Sequence, residues 1–397
     1  MPSPANPRLN STLDTVLRHT TGRHGGAPGV VAMATDRQAN FYEGASGTRE
    51  LGQDRPIATD SVFAIFSTTK ALTGTCAMQL VEEGRIKLND PAGLYAPEID
   101  ELQVLEGFDA DGQPRTRAPK RRITVNDLML HTSGLCYEFF SADDLKYRTA
   151  KGIPTVVSST FASIRTVLLH DPGEAWTYGV NIDWLGRIVE QQRGQRLGAV
   201  MKERIFEPLG MHDIGFTLND AMKARRVTIH DRAADGKLTP LPDLVLPEPE
   251  MDCGGHGLYA SIGEYMKFIR MILNDGAGPN GRVLKAETVA AMAQDGLPAL
   301  GLSAGGWSTS IPSLSNAGEF FPGLDKGWAY TFMTNRERTP SGRPANSLMW
   351  AGLANCFFWI DRASGIGGYW ASQILPFQDA SSYPGFVEFE SAIYHAR

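Results

Sequence analysis

The sequence predicts an α+β fold in which strands from both chain ends make one sheet around a mainly helical middle. Three observations carry that reading. Strand-like runs occur near the start (Gly29–Ala34 and Ala39–Gly44) and again near the end (Cys356–Ile360 and Gly368–Ile374). Between residues 85 and 250 helical stretches alternate with Pro/Gly-rich loops. A helical stretch without a polar face, Thr68–Glu83, lies where the first strands give way to the middle.

Arg8 to Arg18 is amphipathic and reads as a helix, and the first two strands are joined through the polar turn Asp36-Arg37, a hairpin signal. Ser61 to Phe66 is apolar and runs into Ser67. Good helix formers fill Thr68–Glu83, and Gly84 ends the helix as glycine commonly does. Thr124–Leu130 and Asn181–Gln192 are the clearest helices of the middle, and four prolines make Leu238–Pro249 an extended connection. Ser261 caps a helix to Leu273, a short helix follows Gly281, and a Gly/Ser/Pro stretch extends to about Ser347. Phe386–Tyr394 reads as a closing helix.

The 397 residues suffice for one large domain or two interlocked ones. With 42% hydrophobic and 21% charged residues, the chain has ordinary globular composition. A net charge of −6 implies no nucleic-acid-binding face, and the basic cluster Arg115, Arg117, Lys120, Arg121 and Arg122 reads as a solvated loop or strand edge. The N-terminal run Met1 to Arg8 lacks the pattern of a secretory leader, and no apolar stretch reaches the roughly 18–20 residues that span a bilayer. Cys76, Cys136, Cys253 and Cys356 are far apart, which fits reduced thiols in the cytoplasm rather than a disulfide framework or a zinc site. No cofactor, metal, nucleic-acid or membrane partner is expected. The oligomeric state is not legible.

Three constellations can carry chemistry. Ser67-Thr68-Thr69-Lys70 places a hydroxyl at a helix start with an amine one turn on, on the same face, where the helix dipole favours negative charge. About one Ser-x-x-Lys match per chain of this size arises by chance, and its bland reading is an N-cap serine with a surface lysine. The apolar lead-in and the buried-looking helix raise its weight. Glu174 to Gly186 places Tyr178, Asn181 and Asp183 where a loop runs into a helix, and a tyrosine beside a lysine can relay a proton. Its bland reading is a half-buried aromatic followed by a helix cap. Trp350-Ala351-Gly352-Leu353 precedes the strand at Cys356, and small residues there admit a substrate to a backbone N–H that can serve in an oxyanion hole. An ordinary strand with a glycine bend explains it equally.

Competing motifs are weaker. Gly301-Leu302-Ser303-Ala304-Gly305 fits a nucleophile elbow, but Pro298 stands where the strand should be, no helix can follow, and the one later histidine is His395. Asp109-Ala110-Asp111-Gly112 lacks the later ligands of a calcium loop, the eight histidines have no metal-ligand spacing, and Gly254 to Gly257 is a glycine turn outside a phosphate-loop setting.

Taken together and in this order, the three constellations resemble the serine β-lactamase and penicillin-binding-protein superfamily. Leu128 to Leu135 and Gly254 to Asn274 resemble recurrent segments of its class C-like branch. Trp350-Ala351-Gly352 stands where the β-lactamases have Lys-Thr-Gly, which resembles the family VIII carboxylesterases, as does the spacing of Asn181 and Asp183 after Tyr178. Val104 to Asp109 and Asp171 to Gly179 also look like the fungal statin-type acyltransferases of the same fold.

The resemblance implies a five-stranded antiparallel sheet flanked by helices plus a helical domain. Residues 1–65 and 265–397 would form the sheet domain and 66–264 the mainly helical one, with the active site between them. Ser67 would be the acylated nucleophile of a serine carboxylesterase, Lys70 and Tyr178 its base network, and the backbone N–H groups of Ser67 and Leu353 the oxyanion hole. Trp350, Ala351 and Gly352 would line the substrate pocket, with Asn181 and Asp183 also on the substrate side and supporting the Tyr178–Lys70 pair. The partner would be a small-molecule ester. The rivals are an acyltransferase, a weak β-lactamase and a non-catalytic binding protein, and a binding role needs none of Ser67, Lys70 and Tyr178.

Overall fold

The structure is a computed structural model that describes residues 7–246 and 248–396. The first six residues, on which most of the reading of the N-terminal run rests, and Pro247 of the extended connection lie outside the described residues.

Helix α1, Pro7–Gly22, buries Leu9, Leu13 and Leu17, the one-turn spacing of an amphipathic helix. Strand β1, Gly29–Thr35, is buried along its whole length, and β2, Asn40–Gly47, pairs with it antiparallel. Helix α2, Thr69–Glu82, buries twelve consecutive residues from Thr69 to Leu80, so it is wrapped on every side. Its end is a Schellman turn: Gly84 takes φ +69°, its N–H donates to the Val81 carbonyl (3.0 Å) and the Arg85 N–H to Leu80 (2.9 Å).

The middle contributes α3 (Val125–Leu130), α4 (Ala142–Lys151), α5 (Asn181–Arg193) and α6 (Ile262–Leu273). The C-terminal part adds strands β3 (Lys326–Ala329), β4 (Phe332–Asn335), β5 (Leu348–Gly352), β6 (Cys356–Asp361) and β7 (Ile366–Ala371), then α7 (Ser382–His395). The sheet order is β3-β4-β5-β6-β7-β1-β2, antiparallel throughout, so the two chain ends meet where β7 pairs with β1. The sheet has seven strands, not the five expected. Strand β6 explains its own unbroken apolar run: Phe357 and Trp359 meet Phe386 and Phe389 of α7 on one face, and Phe358 meets Tyr265 of α6 on the other.

The middle is also less purely helical than expected. Val104–Phe108 and Pro114–Arg117 form a hairpin whose turn is Asp109 to Gly112, with Asp109 Oδ1 accepting from the N–H groups of Asp111 (3.0 Å) and Gln113 (2.8 Å). That carboxylate is a turn-former. Leu238–Leu241, read as plain connection, pairs with Ile229–Arg232. The basic cluster is largely paired: Arg117 and Lys120 with Asp171, Arg121 with Asp127, Arg122 with Asp100. Among the described residues, no helix is long and apolar enough to cross a membrane.

Two local constraints aim the centre of this frame. Val62–Ala64 pairs with Tyr259–Ser261, and Phe66 is then held at φ +43°, a left-handed value costly for a bulky residue, which turns the chain sharply into Ser67. Gly352 at the end of β5 passes so close to that lead-in that a Cβ there would lie 2.3 Å from the Ile65 carbonyl oxygen. Gly352→Ala should therefore push β5 away from Ile65 and lower the unfolding midpoint seen by circular dichroism by a few degrees, while the transition stays cooperative.

Candidate active site

Ser67 is the middle residue of a single 3-10 turn, Phe66–Thr68, that continues into α2, so Lys70 falls one turn further on the same face. Lys70 Nζ lies 3.2 Å from Ser67 Oγ and also reaches Tyr137 Oη (2.9 Å) and the Gly255 carbonyl oxygen (2.7 Å). The lysine is fully buried. Burial pushes its amine down to about 7, against the opposing pull of the Asp183 carboxylate. An amine with that affinity for protons is free to accept the Ser67 proton near neutral pH.

Tyr178 Oη accepts a hydrogen bond from Trp350 Nε1 (2.9 Å), and the Tyr178 ring lies beside Lys70 Nζ, 4.7 Å from its centroid. Burial drives the phenol upward, with hydrogen bonds to Ser67 and Trp350 pulling weakly back. Tyr178 therefore holds its proton more tightly than an ordinary phenol, while Lys70 holds its own less tightly than an ordinary amine. The sequence placed Tyr178 and Lys70 together as the base network; burial shifts the two groups in opposite directions, the amine down and the phenol up.

Tyr137 is the participant the sequence did not reveal. Its hydroxyl touches Lys70 Nζ and donates to Asp183 Oδ2 (3.3 Å). It lies two residues beyond the Leu128–Leu135 segment, in the run Tyr137-Glu138-Phe139-Phe140, which by composition reads as core. Asp183 Oδ1 accepts the Gly255 N–H (2.9 Å) and lies 3.5 Å from His256 Nδ1. Burial alone would raise this carboxyl, but His256, Lys70 and the Gly255 N–H hold it below the usual range. Asp183 therefore fixes two of the three groups that hold the lysine. A Cβ on Gly255 would meet Asp183 Oδ2 at 2.3 Å, so only glycine fits between them.

Asn181 and Asp183 do not lie on the substrate side. Both are fully buried, and neither lines the cavity above Ser67. Asn181 joins two segments behind the site: its amide nitrogen lies 2.9 Å from His131 Nδ1, and its oxygen accepts from Ser133 Oγ (2.5 Å). Burial and the Lys70 charge push His131 well down, leaving it a neutral ring under Tyr178.

The cavity holds about 380 Å³. Ser67, Tyr178, the run Trp350 to Leu353, and the rings of Phe139, Phe140, Trp176 and Trp307 line it. Trp350 is braced from behind by Trp328 (ring centroids 4.5 Å) and Phe320 (5.9 Å). Strand β4 pairs with β5 only at Leu348 and Met349, which leaves the Trp350–Gly352 edge to the cavity. Ser303 is elsewhere, on an exposed irregular loop against Arg336, with no strand before it and no helix after it.

A family model described as Beta-lactamase matches residues 13–386. The chain belongs to that family. Similar curated proteins include a lovastatin esterase of Penicillium rubens, 32% identical over 372 residues (88% of this chain, 89% of that protein). A monacolin J acid methylbutanoyltransferase of Aspergillus terreus is 29% identical over 381 residues (92% and 91%). Among solved structures, a mutant simvastatin synthase of Aspergillus terreus superimposes with a TM-score of 0.85 at 29% identity, covering 98% of this chain and 95% of that one. The family contains esterases and acyltransferases alike, and this chain is an acyl-transferring serine enzyme of the same kind.

The lysine's position sets a pH signature. Activity should rise with pH through a midpoint near 7, as Lys70 loses its proton. The Asp183 charge favours protonated Lys70, so Asp183→Asn should move that midpoint to lower pH as well as lowering the plateau. Initial rates from pH 5 to 9 on one ester, for both proteins, test this. Tyr137→Phe removes one lysine partner and should lower kcat about tenfold while leaving KM nearly unchanged.

Proposed function

We propose that this chain is a serine carboxylesterase of the family VIII type, cleaving small to medium carboxylic esters through an acyl-Ser67 intermediate. The observation that carries the reading is Lys70 Nζ, buried, tuned to about 7 and 3.2 Å from Ser67 Oγ, beneath a cavity walled by Trp350. Lys70 takes the Ser67 proton as Oγ attacks the ester carbonyl. The N–H groups of Ser67 and Leu353 receive the developing oxyanion. As the C–O bond of the ester breaks, Tyr178 gives its proton to the departing alkoxide and regains one from Lys70. Water then attacks the acyl-enzyme by the same relay in reverse, freeing the acid and restoring the Ser67 proton.

Trp350 favours esters over lactams, because it occupies the place of a lysine that would pair with an antibiotic carboxylate. The Trp350–Tyr178 hydrogen bond adds to this, since it aims the tyrosine at the leaving oxygen. Four buried free thiols suit a reducing cytoplasm. Acyl transfer is the second reading. It is favoured by the methylbutanoyltransferase among the relatives and by the aromatic cavity walls, which limit water around an acyl-enzyme.

Hydrolysis of p-nitrophenyl acetate, butyrate and octanoate beside nitrocefin, for wild type and Ser67→Ala, tests the first reading. Turnover of the esters should exceed that of nitrocefin, and Ser67→Ala should lose at least a thousandfold. Full activity in Ser67→Ala, or preferred turnover of nitrocefin, contradicts it. Adding an alcohol acceptor separates the second: transfer product forming faster than free acid makes the chain an acyltransferase.

A further inference from the structure

The charge lining the cavity is one-sided. Among the described residues that line it, none is Lys, Arg or His, and the one charged side chain is Asp143. The nearby cations are committed elsewhere. Arg148 of α4 is buried against Asp144 (2.6 Å) and Glu138 (3.6 Å), and Lys146 sits over the Phe108 ring, 4.0 Å from its centroid. Lys326 is paired with Glu319 at 2.6 Å. Lys70 faces the serine from below, surrounded by Tyr137, Gly255 and Ser67.

The start of α4 also reaches the cavity through Ser141 and Ala142, and a helix start ordinarily favours anions. Here Asp143 and Asp144 occupy its first turn, and Ser141 Oγ already accepts the Asp144 N–H. Asp144 is paired with Arg148, which leaves the Asp143 carboxylate to offset the half-charge of the helix end. Asp143 is then the one charge along this wall, and the rest of the lining is aromatic, aliphatic or small and uncharged, Thr177 and Ser308 included.

We propose that the cavity selects esters uncharged on both the acyl and the alcohol side and discriminates against anionic ones, with Asp143 as the specificity-determining residue. This rests on the esterase reading of Ser67. A carboxylate brought into the cavity would give up hydration, meet no cation and approach Asp143. An uncharged aromatic or alicyclic group meets Phe139, Phe140, Trp176 and Trp307 at no such cost. Asp143 is exposed, so its share is moderate and sensitive to salt.

Three esters test this: p-nitrophenyl butyrate (neutral), mono-p-nitrophenyl adipate (anionic acyl group) and 3-carboxy-4-nitrophenyl butyrate (anionic alcohol). The quantity read is the neutral-to-anionic ratio of kcat/KM within each protein, which cancels differences in intrinsic reactivity when variant and wild type are compared. At low salt, Asp143→Asn should lower that ratio about 3- to 10-fold for at least one anionic ester, and Asp143→Lys should lower it further. Addition of 0.5 M NaCl should shrink the difference between variant and wild type. Ratios unchanged within twofold for both anionic esters in both variants overturn the proposal while leaving the esterase reading intact. A wild type that cleaves none of the three overturns the reading of Ser67, and the proposal with it.

Discussion

An amine buried without a counter-ion in direct contact is costly, and the centre of this protein is organised around holding one. Lys70 gives up its hydration on α2, a helix with no solvent-facing side over its first three turns. It recovers polar contacts from three oxygens on three different segments: Ser67 in its own turn, Tyr137 after α3, and the Gly255 carbonyl before α6. The carboxylate that acts on it, Asp183, reaches it only through Tyr137 and Gly255. It stabilises the charged lysine partly and orients Tyr137 and Gly255. Desolvation that lowers proton affinity and an indirect carboxylate that restores part of it leave the amine near 7.

The sheet matters to this arrangement through a single edge. Strand β5 is paired along its length with β6 but only at its start with β4, so Trp350, Ala351 and Gly352 show one backbone edge to the cavity. Gly352 abuts Ile65 without room for a side chain, and Phe66 pays backbone strain to turn the chain into Ser67. Trp350 links the two halves of the machinery: its ring belongs to the wall formed with Trp328 and Phe320, while its N–H holds the Tyr178 hydroxyl. One side chain shapes the pocket and fixes the Tyr178 hydroxyl.

Much of this was legible from local pattern. The α2 stretch, its glycine stop, the apolar lead-in to Ser67 and the strands at both chain ends announced themselves through periodicity and helix punctuation. What escaped depends on contacts between distant segments. Strands β3 and β4 lie in a stretch that reads as loop, because their hairpin turns at Tyr330-Thr331 rather than at an Asn-Gly pair. Thr331 is held at φ +69° and packs on Gly74 of α2, where a Cβ on the glycine would lie 2.5 Å from the Thr331 methyl. Tyr137 sits in a Tyr-Glu-Phe-Phe run with the composition of core, and only the fold brings its hydroxyl to Lys70. Asn181 and Asp183 were visible as polar residues near Tyr178, yet helix phase turns both into the interior, where they support the site from behind.

Whether Ser67 carries the acyl group is read by intact-mass analysis of a quenched reaction. Mixed with p-nitrophenyl butyrate and acid-quenched within milliseconds to seconds, the wild type should gain a single butyryl increment of about 70 Da, which peptide mapping assigns to the fragment holding Ser67, and Ser67→Ala should gain none. An increment that persists in Ser67→Ala, or maps to Ser303, contradicts the account.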